Sequence, residues 1–343
     1  MKKTLIAFML LTSVGWTQAQ TNRVTLLQGA RNLVVSTADG KQSHHLVTSE
    51  KSQMIYKKDG KFIIGHDSIA MADVKALRLK ALPKLVLDED SATFSPRNVE
   101  HGLLALRYSC LPGKWSTLTL PVSLTGEQVT EVFGEGTVLA CYKGITETQV
   151  ATVDFETIDL NTCEIALEAG KNYIVRPTRE PDIAIGKQTS ISYGTGKLSG
   201  PLYLLPNVSM VKDRDYVPAQ TLRSASGLTR MRVNASYKSQ EQLAIGTRTI
   251  FYTNEDGLFS QLTEAMPMKA FRNYMSEAKN DSNMVWNFYV DGINEDLTAT
   301  GITAPAIGRG QHSDIIFDLQ GRRTIGTLRP GIYIINGKKM MVR

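Results

Sequence analysis

The sequence predicts an all-β, β-dominated fold: a β-sandwich-like central domain with an N-terminal hairpin unit before it and a short C-terminal β tail after it. Three observations carry this expectation. Asp-Gly or Asn-Gly stands beside or between apolar runs at Asp39-Gly40, Asp59-Gly60, Asp256-Gly257 and Asn336-Gly337, and such a pair supplies the two positive-φ positions of a type I′ hairpin turn. Residues 115–122 alternate with the two-residue period of a strand. One short segment, residues 125–134, carries a helical pattern instead.

Taken in order, the chain opens with Lys2 and Lys3, an apolar run over 4–14, and small residues at Thr17 and Ala19. These are the three regions of an export signal, with cleavage expected after Ala19, so that 1–19 is a signal peptide. The run is too short for a bilayer anchor, and no later stretch approaches 18 consecutive apolar residues, so no transmembrane helix is expected. No Cys follows the run to carry a lipid. Residues 20–88 form the hairpin unit, with apolar runs at 33–38, 54–56 and 62–64 around its two Asp-Gly pairs.

The central domain spans 92–296. In its first strand Ser116, Leu118, Leu120 and Val122 point one way and Trp115, Thr117 and Thr119 the other. Pro121 marks an edge or a strand end. Thr125 and Gln128 have capping-box spacing, Val129, Val132 and Phe133 make an apolar stripe, and Gly134 ends the helix. Strands are expected at 137–142, 172–176, 200–205 and 228–233, with a turn at 168–171. Residues 177–181 and 186–200 read as loops, and 297–312 as a linker of Gly, Pro, Thr and Ala. The tail is 313–343.

With 343 residues, 42% hydrophobic and 21% charged, the chain has ordinary globular chemistry, which excludes collagen, a coiled coil and wholesale disorder. Its net charge is +6; without Lys2 and Lys3 it is 37 basic against 33 acidic residues, or +4. A surplus that small, with no long basic run, gives no reason to expect nucleic acid.

Cys110, Cys141 and Cys163 allow one disulfide, and Cys141 with Cys163 would close a loop contributing on the order of 3 kcal/mol. The favoured reading is three buried free thiols acting as small hydrophobes. Their spacing fits no zinc pattern, and none of His44, His45, His66, His101 and His312 sits in a ligand motif, so no metal or cofactor is expected. His44 and His45 are strand neighbours and face opposite ways.

No nucleophile elbow is present. YGTGK at 193–197 lacks the spacing of a phosphate loop and reads as a flexible loop. Carboxylates cluster at Asp88, Glu89 and Asp90, at Asp154, Glu156 and Asp159, and at Asp291, Glu295 and Asp296. A glycosidase pair drawn from them is the enzymatic alternative; solvated strand faces are the plainer explanation. Arg230 and Arg232 share a strand face, with Lys238 and Tyr237 nearby as a candidate basic-aromatic patch. Trp115 and Trp286 are expected to be buried.

Several segments resemble modules of secreted Bacteroidetes proteins. LVVSTADG at 33–40 with SIAMADV at 68–74 is similar to a short N-terminal hairpin module of those proteins. WSTLTLP at 115–121, EAGKNYIVRP at 168–177 and KAFRNYM at 269–275 resemble a module of adhesin-like surface proteins to which no catalytic residues are attached. DIIFDLQGRR at 314–323 and LRPGIYIINGKK at 328–339 resemble the end of a sorting domain of type nine secretion, at less than half its usual length. Trp115, Tyr173, Phe271 and Tyr274 suit a sandwich core, and Gly170 and Gly331 suit tight turns.

Together these readings imply an exported protein, at the cell surface or outside the cell, or alternatively periplasmic. The expected function is non-enzymatic adhesion or binding, with no catalytic residue assigned. The expected partners are an extracellular glycan or protein and, through the tail, the secretion machinery. The alternative is a secreted, glycan-directed hydrolase using a carboxylate pair.

Overall fold

The computed structural model describes residues 27, 29–48, 55–64, 67–147, 151–184, 190–193, 196–243, 248–277, 286–293, 316–318, 331–335 and 338–342. The expected signal peptide at 1–19 and linker at 297–312 lie outside these residues. So do Trp16, His66, His312, Glu295 and Asp296.

Strands dominate. Arg31–Thr37 (β1) and Gln42–Val47 (β2) form a hairpin; Ile55–Lys58 (β3), Lys61–Ile64 (β4) and Asp67–Ala70 (β5) form a meander; Val74–Ala81 (β6) returns to pair with β1. Next come Lys84–Asp88 (β7), Val99–Arg107 (β8), Ser116–Leu118 (β9), the helix Gly126–Phe133, Val138–Glu147 (β10), Ala151–Thr157 (β11) and Tyr173–Arg176 (β12). Ser190–Tyr193 (β13) and Gly196–Ser199 (β14) make another hairpin before Leu202–Met210 (β15). The series continues with Gln220–Arg223 (β16), Arg230–Ser236 (β17), Gln240–Leu243 (β18), Ile250–Thr253 (β19), Phe259–Gln261 (β20), Met266–Met268 (β21), Arg272–Glu277 (β22) and Trp286–Val290 (β23).

Two five-stranded sheets face each other as a sandwich. One runs β23-β11-β10-β12-β9, with β23 parallel to β11; the other runs β16-β17-β22-β19-β20 and is antiparallel. Ala140, Phe155, Ile174 and Phe288 of the first pack against Met231, Val233, Phe251 and Met275 of the second. The far face of the first sheet is covered as well. There Leu139, Tyr173 and Val175 meet Leu104, Leu106 and Tyr203 of the β15-β8-β7 sheet, together with Val129, Val132 and Phe133 of the helix. Tyr173 and Ile174, adjacent in sequence, therefore enter different cores. This is why residues 115–120 are buried on both faces of their alternation, as expected for strands with a layer on either side. Trp115 and Trp286 are both buried.

The helix matches its sequence pattern. Thr125 caps it, the Thr125 and Gln128 side chains satisfy each other's backbone N–H groups, and Gly134 follows at φ 105°. The N-terminal sheet β2-β1-β6 lies between two layers. Leu33 and Val35 face Ile64 and Ile69 of the meander, while Leu46 and Leu82 join Leu103, Ala105 and Ile183. Strand β7, which closes the expected hairpin unit, pairs in parallel with β8 and so belongs to a central sheet.

The hairpin turns need one correction. Asp59-Gly60 has both residues at positive φ, 49° and 74°, as a type I′ turn requires. At Asp39-Gly40 and Asp256-Gly257 only the glycine does. Gly40 N–H donates to Thr37 O and Thr37 N–H to Lys41 O; Gly257 N–H donates to Asn254 O and Asn254 N–H to Leu258 O. Both are longer loops in which a turn ends on a left-handed glycine, and the side chains of Thr37 and Asn254 close them from within. Asn336-Gly337 lies outside the described residues.

The residues from Thr300 to Arg343 form a separate compact unit. In it Ile316–Asp318 (β24), Gly331–Ile335 (β25) and Lys338–Val342 (β26) make an antiparallel sheet.

Candidate functional site

The densest polar centre is buried. Glu89, just past β7, is fully inaccessible. Its carboxylate accepts from the Ser109 N–H at 2.9 Å and from the Ser109 hydroxyl, and pairs with Lys269 at 2.8 Å and Arg272 at 3.1 Å. Arg272 lies 3.9 Å over the Tyr108 ring and donates to Ser116 Oγ and Ser109 O. Burial alone would raise the Glu89 pKa; the Arg272 charge and the hydrogen bonds from Lys269 and Ser109 outweigh it and hold the carboxyl below its ordinary range. Burial pushes the Tyr108 phenol up and the Cys110 thiol up to about 11. At neutral pH Cys110 is a thiol, its Sγ 3.3 Å from Tyr203 Oη, so it lacks the thiolate of a nucleophile. The centre clamps the ends of β7, β8, β9 and β22 together.

The carboxylate clusters are tied up locally. Asp88 and Asp90 pair with Arg107 at 3.4 and 2.9 Å. Glu156 pairs with Lys143 at 2.7 Å, Asp154 accepts from Thr146, and Asp159 accepts from Asn161 N–H and Thr162. Asp291 accepts from the Thr157 N–H and hydroxyl. Where these groups depart from ordinary acidity they do so downward: hydrogen bonds lower Asp159 and Asp291. A general acid requires the opposite shift.

His44 and His45 do face opposite ways, toward Asn32 and Asp67 respectively. All three cysteines are free, so the Cys141–Cys163 bridge is not formed; Cys163 is exposed rather than buried. Ser190–Tyr193 and Gly196–Ser199, expected to be loop, are the paired strands β13 and β14, because Ile191 and Leu198 anchor them in the core. Tyr193 and Gly196 pair across the two strands, and Gly194 and Thr195 of YGTGK lie outside the described residues.

The remaining candidate is an arginine face on the outer sandwich sheet. Arg230 and Arg232 both lie exposed on β17, as their spacing predicts, while Met231 and Val233 face the core. Strand pairing brings Arg223 of β16 directly opposite Arg230, and Thr221 opposite Arg232. On the other flank Asn234 faces Tyr274 and Arg232 faces Ser276. Two expected members leave the patch: Lys238 pairs with Asp215 at 2.7 Å, and Tyr237 is buried between Phe94 and Phe271. Among the described residues none of the three arginines has a carboxylate partner; Arg230 Nε donates to Gly227 O at 3.1 Å. Like charges directly opposite on a sheet destabilise it, so Arg223 and Arg230 form an electrostatically unmatched pair. Sequence reading missed Arg223 because its place depends on register across a turn, which the two-residue period does not carry.

Compared with known proteins, the chain matches no family model, no curated sequence and no solved structure.

Proposed function

We propose that the chain is an exported, non-enzymatic binding protein of the adhesion type, displayed at the cell surface, and that its arginine face takes an anionic glycan. The observation that carries the reading is the exposed trio of Arg223, Arg230 and Arg232, which has no carboxylate partner among the described residues. Each guanidinium offers a planar fork of donors that fits a sulfate or uronate carboxylate at two points. Thr221, Asn234 and Tyr274 stand beside the arginines and supply neutral hydrogen-bonding groups of the kind sugar hydroxyls need. The resemblance of the tail to sorting domains supports export and display.

The test is binding of the mature chain to immobilised dextran sulfate and polygalacturonate over a salt series. Binding should weaken as salt rises, because exposed charges are screened. A variant with Arg223, Arg230 and Arg232 all changed to Gln should bind at least about tenfold more weakly, a loss of only 1.4 kcal/mol. Equal binding by the variant would remove the arginine face from the function. Protease accessibility on intact cells tests display: protection until the outer membrane is opened would place the protein in the periplasm.

A further inference from the structure

A second feature lies where the N-terminal sheet meets the β15-β8-β7 sheet. His44 on β2 and His101 on β8 stack face to face, with ring centroids 3.9 Å apart and 14° between the planes. Their remaining contacts fix the protons. The Asn32 amide nitrogen lies 3.0 Å from His44 Nδ1. That nitrogen can only donate, so Nδ1 accepts and neutral His44 carries its proton on Nε2. His101 Nδ1 lies 2.6 Å from Asn207 Oδ1, which can only accept, so this Nδ1 carries a proton.

The backbone is committed to this arrangement. His101 and Asn207 both occupy the left-handed region, at φ 48° and 61°, which non-glycine residues rarely adopt. Ser209 Oγ accepts from the His101 N–H at 3.1 Å, and the Gln128 side chain donates to Asn207 O at 3.2 Å. The titratable or charged groups that face His44 are His101 and Glu100 from β8 and Lys80 from β6; β1 offers neutral Asn32, and His45, its neighbour on β2, points to the opposite face. Burial, then His101 and Lys80, hold the His44 imidazole below its ordinary value of 6.5, with Glu100 opposing them.

We infer that the His44–His101 stack is a pH-sensitive joint, which holds the N-terminal sheet on the central unit while His44 is neutral and loosens it in acid. Protonated His44 would set a donor against the Asn32 amide and a cation against His101. Because the folded state binds this proton less readily than the unfolded chain, the joint is at full strength above about pH 6.5. It weakens as the pH falls from there through the folded-state value. The inference is independent of the glycan reading, since it concerns a different surface.

Amide hydrogen exchange on the full chain tests it. Protection factors in β1 and β2 should fall between about pH 7.5 and about pH 5.5, by up to about tenfold for each unit by which the His44 pKa is displaced. His44→Gln should abolish this dependence. His101→Asn should weaken it without abolishing it, since burial and Lys80 still act on His44, and should keep the backbone, since Asn tolerates positive φ. Asn32→Asp should reverse it, because a carboxylate accepts from the protonated ring and raises its pKa. His45→Gln, on the opposite face of β2, should leave the dependence intact. Flat protection in the unmodified chain would overturn the inference. So would a dependence that survives His44→Gln or disappears with His45→Gln.

Discussion

Glu89 and Arg272 lie 183 residues apart in the chain and 3.1 Å apart in space. The pair is held from every side: Lys269 and Ser109 complete the carboxylate's partners, and the Tyr108 ring lies beneath the guanidinium. Breaking one side of such a buried pair leaves the other charge without compensation. Glu89→Ala is expected to cost about 3–5 kcal/mol. The double variant Glu89→Ala with Arg272→Met should cost clearly less than the sum of the two single changes. Urea unfolding of the four proteins measures the coupling; strict additivity would show that the two residues do not act together.

The same carboxyl sets a pH dependence. Its folded-state pKa lies below the ordinary value of 4.5, so the folded protein releases this proton more readily than the unfolded chain. The stability it contributes is complete above about pH 4.5 and is lost as the pH falls through the folded-state value. Glu89→Gln should therefore flatten the acid limb of a stability–pH curve and leave the histidine region unchanged.

Gly126 opens the helix where no side chain fits. A β-carbon there would stand 1.7 Å from the Leu160 carbonyl oxygen, a backbone atom that cannot turn aside. Gly126→Ala should cost about 1–3 kcal/mol, as overpacking does. Gly144 in β10 has open space around the same position, and Gly144→Ala should stay within about 0.5 kcal/mol of the unmodified protein. Thermal unfolding of the two variants makes the comparison.

Thiol labelling should follow exposure and acidity. Cys163 is exposed and should react first with iodoacetamide. Cys141, raised by burial, should follow more slowly. Cys110, pushed by burial to about 11, should resist until the protein unfolds. Peptide mass mapping over time gives the order, and a Cys163 that stays unlabelled in the absence of reductant would point to a bridge.

What the sequence disclosed follows the range of each signal. The helix was legible in full because its cap, stripe and stop all fall within ten residues. Arg230 and Arg232 were legible as one face because the strand period is local. That period ends with β17 at Ser236, whose hydroxyl bonds the Lys238 backbone. Tyr237 and Lys238 therefore could not be projected onto the same face. Glu89 sits between two surface aspartates and reads as solvated. Only the partners that arrive with β22 make it an interior group.

The parallel pairing of β23 with β11 bears on the order of assembly. The outer edge of β11 is closed by Trp286–Val290, and Asp291 then bonds Thr157 across 134 residues. A growing chain presents that edge with open N–H and C=O groups until β23 has been made. Non-local pairing of this kind slows folding, and an open edge invites strands from other chains. The nascent protein is therefore open to strand exchange along β11 from the completion of that strand until Trp286–Val290 is made and pairs with it.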